Sequence, residues 1–78
     1  MEAEVTEIDT RGLRCPLPVL RARKAIAGLP DGARLRVLAT DPDSRQDFRA
    51  WCESSGHELL EQSDNGEGIL VHLIRKAG

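Results

Sequence analysis

Val5-Thr6-Glu7-Ile8-Asp9 intersperses apolar and polar residues with a two-residue period, which predicts a strand with one buried face. Gly12 then interrupts the chain ahead of Leu13-Arg14-Cys15-Pro16-Leu17-Pro18. From Pro16 the period changes: Val19, Ala22, Ile26 and Leu29 are separated by 3, 4 and 3 residues, the spacing of one helical face. Two prolines fit the start of such a helix because the N–H groups of a first turn have no intrahelical partners. Gly28 and Pro30 end it, and Pro30-Asp31-Gly32 is turn chemistry. Leu35, Val37 and Ala39 alternate with Arg34, Arg36 and Leu38, a second strand. Asp41-Pro42-Asp43-Ser44 closes that strand and opens another helix, with Ser44 and Asp47 spaced as an acidic variant of a capping box. Phe48, Trp51, Cys52 and Ser55 recur at helical spacing up to Gly56, a natural stop. His57 to Gln62 and Ile69 to Ile74 read as strands, and the Asn65-Gly66 pair in the link between them is a hairpin signal.

The predicted order is βαβαββ over a single domain spanning residues 1–78. Two amphipathic helices covering one face of a four-stranded mixed sheet give a two-layer α/β sandwich of the α+β type. Strand order does not follow from the pattern. With Phe48 and Trp51 the only aromatic residues apart from the histidines, the core must be built from Leu, Val, Ile and Ala. No apolar run approaches the roughly 20 residues of a membrane span. The acidic Met1-Glu2-Ala3-Glu4 lacks the basic flank and apolar stretch of a secretory signal, so a cytoplasmic protein away from membranes is expected.

The net charge of -2 argues against a generic polyanion binder but conceals an asymmetry. Five basic residues and no acid lie between Arg11 and Lys24, whereas eight acids stand against Arg45 and Arg49 between Asp41 and Glu67. Cys15 lies in the basic stretch, at or just before the predicted first helix. A helix N-terminus carries roughly half a positive charge, and a thiolate placed there has a lowered pKa. Arg11 and Arg14 add charge of the same sign, and Pro16 and Pro18 make the presenting turn rigid while removing two N–H donors. Position alone leaves two readings open, a reactive thiolate and a small buried hydrophobe.

Leu13-Arg14-Cys15-Pro16-Leu17-Pro18-Val19, preceded by Asp9 and Gly12, resembles the CPxP signature of the SirA/TusA family of small sulfur-carrier proteins. Asp41-Pro42, Asp47, Trp51-Cys52, Gly56-His57-Glu58-Leu59 and Leu73-Ile74-Arg75-Lys76 extend the resemblance over nearly the whole chain. It implies that Cys15 carries sulfane sulfur as a persulfide, received from a cysteine desulfurase or rhodanese-type protein and handed to an acceptor protein. The chain would then be a component of a sulfurtransferase relay, not an independent turnover enzyme. Arg14, Pro16, Pro18 and Gly12 would shape the thiolate environment, and Leu17, Arg21 and Lys24, close together on a helical wheel, would dock partners. Leu17 stands at the variable CPxP position, where the tRNA-thiolation carriers usually have an acidic residue, and Phe48-Arg49 replaces that family's common Ile-Pro. The partners of that branch are therefore not implied here.

The remaining residues have plainer readings. Cys52, one turn after Phe48, is a packing residue, with a resolving thiol for Cys15 as the rival. Trp51 is a partly buried anchor, and Gly12 serves a tight turn. Asp41, Asp43 and Asp47 are turn and cap residues, with a partner-contact cluster as the alternative. His57 and His72 lack ligand spacing, so neither a metal nor a cofactor is expected. A monomer without direct nucleic-acid contact is anticipated. The rival functions are a small regulatory or RNA-binding module, opposed by the charge and the scarcity of aromatics, and a thiol–disulfide oxidoreductase, opposed by the wide separation of the cysteines.

Overall fold

The computed structural model describes residues 5–78; Met1-Glu2-Ala3-Glu4 lies outside the described residues. Its elements are β1 (Val5–Thr10), α1 (Leu17–Ala27), β2 (Arg34–Ala39), α2 (Ser44–Ser55), β3 (Glu58–Asp64) and β4 (Leu70–Arg75). They form a two-layer α/β sandwich with one mixed sheet ordered β1-β2-β4-β3. β1 runs parallel to β2, while β4 is antiparallel to both β2 and β3. The hairpin after α2 therefore returns β4 into the centre and leaves β3 at an edge. That edge strand carries an irregularity between Leu59 and Glu61 together with the charges of Glu58, Glu61 and Asp64, features that discourage further strand pairing.

Alternation along β2 decides which sheet face the helices cover. Leu35, Val37 and Ala39 are buried, and Arg34, Arg36 and Leu38 point the other way. β1 follows the same rule in register with β2, with Thr6, Ile8 and Thr10 turned inward beside Leu35, Val37 and Ala39, and Val5, Glu7 and Asp9 exposed. From α1, Pro18, Ala22 and Ile26 are buried. Val19 and Leu29, expected on the same face, are half-buried, and both pack against the core from its margin. Phe48 and Cys52 of α2 join Leu35, Val37 and Ile74 in the core cluster. The Phe48 ring stacks on His72 at 4.5 Å and meets Trp51 edge-on at 5.9 Å.

The expected capping box at Ser44 does not form. Asp43 occupies the N-cap without a side-chain cap bond, and Ser44 is buried as the first helical residue. The tertiary fold gives its hydroxyl another partner, His72 Nε2 at 2.9 Å. On the other side of the ring, Gln62 Nε2 donates to His72 Nδ1 at 3.1 Å and to the Arg45 carbonyl at 2.8 Å. His72 is thus a neutral imidazole carrying its proton on Nε2 and donating to Ser44. Gly56, by contrast, is the stop the sequence predicts, at φ 83° with its N–H bonded to the Cys52 carbonyl.

Burial, reinforced by the charge of Arg45, holds His72 down to about 4 from 6.5. As pH falls below about 6.5 the unfolded chain binds a proton that the folded chain refuses until about 4. Stability is therefore full above that interval, and urea unfolding should show on the order of 3 kcal/mol lost across it. His72→Gln should remove this part of the pH dependence. Cys52, 4% exposed in the core, should cost about 1 kcal/mol on truncation to Ala.

Candidate functional site

Cys15 lies in the loop between β1 and α1, and its placement is set by hydrogen bonds from two directions. At the end of β1, buried Thr10 donates its hydroxyl to the Leu38 carbonyl and accepts the Leu13 N–H on its own carbonyl. Gly12, at φ +82°, makes a turn that a side chain would strain, and its N–H donates to Thr40 Oγ1 at 2.8 Å. The Cys15 N–H donates to Asp41 Oδ2 at 2.5 Å. Thr40 and Asp41 both follow β2, so the loop after the second strand holds the loop after the first. Together they line an open cleft of about 430 Å³ formed by Gly12, Leu13, Arg14, Cys15, Thr40, Asp41, Pro42 and Asp43. Cys15 is exposed and free, whereas Cys52 is free and buried in the core.

The electrostatic setting is the reverse of the sequence expectation. The Cys15 thiol is pushed up to about 11 from an ordinary 9.0, first by the neighbouring Asp47 carboxylate, then by desolvation, and then by the charges of Asp47, Asp41 and Asp43. The helix end that should have favoured the thiolate offers few donors. Among the first helical residues Pro18 has no N–H, and that of Leu17 is taken by the Arg14 carbonyl at 2.8 Å. Arg11 is turned to Asp9 in a 2.8 Å ion pair. Arg14 lines the cleft and is exposed, but the acids that surround the sulfur come from α2 and the turn before it. The basic stretch around Cys15 in the sequence is an acidic neighbourhood in space.

Of the other residues singled out from the sequence, Pro16 sits at the N-cap of α1 and Pro18 is buried beneath it. Leu17, Arg21 and Lys24 are all exposed, so the outer face of α1 runs on from the Cys15 tip. Leu20, at 46% exposure beside Leu17 at 44%, also belongs to that face, although the helical apolar arc of the sequence does not mark it. With a partner-contact cluster as the alternative, the sequence pattern assigns Asp41 and Asp47 to turn and cap positions. Asp41 does fulfil that role, accepting the Asp43 N–H on Oδ1 at 3.1 Å, but both also serve Cys15. No local pattern could have paired Asp41 with a residue 26 positions away, or Asp47 with one farther still along the chain. Trp51 is half-buried against His57, whose Nδ1 accepts the Ala77 N–H at 3.0 Å. No group of three metal-ligating side chains occurs among the described residues.

The family described as Sulfurtransferase TusA matches residues 6–76. The chain belongs to the TusA family. It is 46% identical over 69 residues to the putative sulfur carrier protein YrkI of Bacillus subtilis, covering 88% of this chain and 91% of that protein. Against the sulfur carrier protein TusA of Allochromatium vinosum the identity is 45% over 71 residues, covering 91% and 92%. The crystal structure of a SirA-like protein from Desulfitobacterium hafniense superposes with a TM-score of 0.83 at 32% identity, covering 96% of this chain and all of that one. The TusA-family match supports a sulfur-carrier role in company with partner proteins. No helix among the described residues is long and apolar enough to cross a membrane.

Because carboxylates surround the sulfur, alkylation of Cys15 in a Cys52→Ser background should rise with pH up to a midpoint near 11. Asp47→Asn removes the charge of the carboxylate that acts most strongly on the thiol, and should move that midpoint down toward the value of a free cysteine. A wild-type midpoint below about 8.5 would show instead that the cations govern the thiol.

Proposed function

We propose that this TusA-family protein holds sulfane sulfur as a persulfide on Cys15 and relays it from a cysteine desulfurase or rhodanese-type donor to an acceptor protein. The observation that carries this reading is an exposed, unpaired thiol at a tethered tip, beside a cleft open to solvent. A carrier's sulfur must be reached by two different proteins in turn, and an open tip serves that better than an enclosed pocket.

In the loading step the Cys15 sulfur attacks the outer sulfur of the donor persulfide. A new S–S bond forms on Cys15, the donor's S–S bond breaks, and the donor leaves as a thiol. The proton lost from Cys15 balances the one gained by the donor, and no external oxidant or reductant is required. In the resting protein the carboxylates of Asp47, Asp41 and Asp43 disfavour the thiolate. Reactivity therefore belongs to the complex with a donor, whose own charges reset the potential at the sulfur. The outer face of α1 provides the docking contacts, Leu17 and Leu20 for an apolar patch and Arg21 and Lys24 for acidic groups. The open sheet face is a poorer platform for RNA, since Phe48 and Trp51 both lie on α2 and Leu38, Val71 and Leu73 occupy the face instead.

Incubation with a desulfurase and cysteine should add about 32 Da, one sulfur atom, to the intact protein. Cys15→Ser should abolish the adduct and Cys52→Ser should retain it; the opposite pattern would refute the assignment. Reversing Arg21 and Lys24 to Glu should slow transfer at low salt by several-fold, with the defect shrinking as salt is raised. Stability should remain nearly unchanged, because exposed cations contribute little to folding.

A further inference from the structure

We propose that Asp41 is a positioning residue of the sulfur site: its carboxylate clamps the main chain of Cys15 to the start of α2 and so fixes the direction in which Sγ meets a partner. This rests on the reading of Cys15 as the sulfur-bearing residue. The two oxygens of Asp41 have separate tasks. Oδ2 accepts the Cys15 N–H, and Oδ1 accepts the Asp43 N–H in the turn that opens α2. The bond to Cys15 spans 26 residues of sequence and joins two loops that have no strand pairing to hold them together.

The tip has few other points of attachment. Pro16 and Pro18 lack an N–H, and the Leu17 N–H is bonded within the tip to the Arg14 carbonyl. The amide of the sulfur-bearing residue itself is thus the donor through which the loop across the cleft holds the tip. Thr40 fastens the preceding turn at Gly12, and Asp41 fastens the end that carries the sulfur. A half-buried carboxylate receiving two N–H donors makes charge-assisted bonds, stronger than neutral ones. Asp47 differs in kind, because it acts on the thiol and not on the backbone.

The clamp carries a charge that opposes thiolate formation, so its removal should push two rates in opposite directions. In a Cys52→Ser background, Asp41→Ala should react faster with iodoacetamide at neutral pH, because one acid near the sulfur is gone. Sulfur loading from a bacterial cysteine desulfurase supplied with cysteine should fall about tenfold or more, because the loosened tip no longer holds an attack geometry. Hydrogen exchange at the Cys15 and Asp43 amides should accelerate by a similar factor. Asp41→Asn offers one acceptor oxygen to two donors; it should show the same opposed changes more weakly, and it carries the test if the Ala variant does not fold. Loss of both rates together, or a gain in both, would overturn the clamp. So would faster exchange at Asp43 with none at Cys15, which would reduce Asp41 to a turn residue of α2. If the wild type accepts no sulfur, the relay proposed above fails, while the exchange pattern at the two amides still decides the clamp.

Discussion

β1 and β2 run parallel, and the site depends on this constraint. Parallel neighbours deliver their C-terminal ends to the same edge of the sheet, so the loops that follow them must meet there. Thr10 and Ala39 are register partners at the ends of those strands. From that shared end, Thr40 reaches Gly12 and Asp41 reaches Cys15. An antiparallel pairing would have sent the two loops to opposite ends of the sheet and left Cys15 on an unanchored turn.

The same meeting of loops brings α2 and its acids to the sulfur. α1 presents cations and exposed leucines on its outer face, while α2 and the turn before it contribute Asp41, Asp43 and Asp47 on the other side of the tip. A thiol in this position is accessible but protonated at neutral pH. Accessibility without standing reactivity suits the proposed carrier, whose thiol would respond to a docked protein and not to small electrophiles. Buried Cys52 is held protonated too, but by desolvation alone. The two cysteines therefore share a similar acidity for different reasons, and only one lies where a protein can reach it.

Behind the tip, α2 is held to the sheet by more than apolar packing. His72 connects Ser44 at the head of the helix to Gln62 on β3, and its ring stacks under Phe48. Gln62 also binds the Arg45 carbonyl and accepts from Arg49 Nε at 3.0 Å. This network fixes the first two turns of α2, from which the Asp47 carboxylate acts on Cys15. A fully satisfied polar cluster of this kind favours one arrangement over near alternatives more than it adds net stability.

The sequence alone determined most of the architecture, because the information is local. A period of two or 3.6 residues, Gly56 at a helix end and Asn65-Gly66 in a hairpin each specify their element without reference to distant residues. The cysteine was legible for the same reason, since its CPxP setting is contiguous. Three things were decided only by the tertiary structure. Strand order placed β4 between β2 and β3, which depends on how sheet faces pack. Ser44 gave up its expected cap for His72, a partner 28 residues away. The charge around Cys15 changed sign for the same physical reason. Electrostatic interaction depends on distance through space, and folding sets Asp41, Asp43 and Asp47, far off in the chain, around the sulfur, where their charges outweigh the arginines that adjoin it in the sequence.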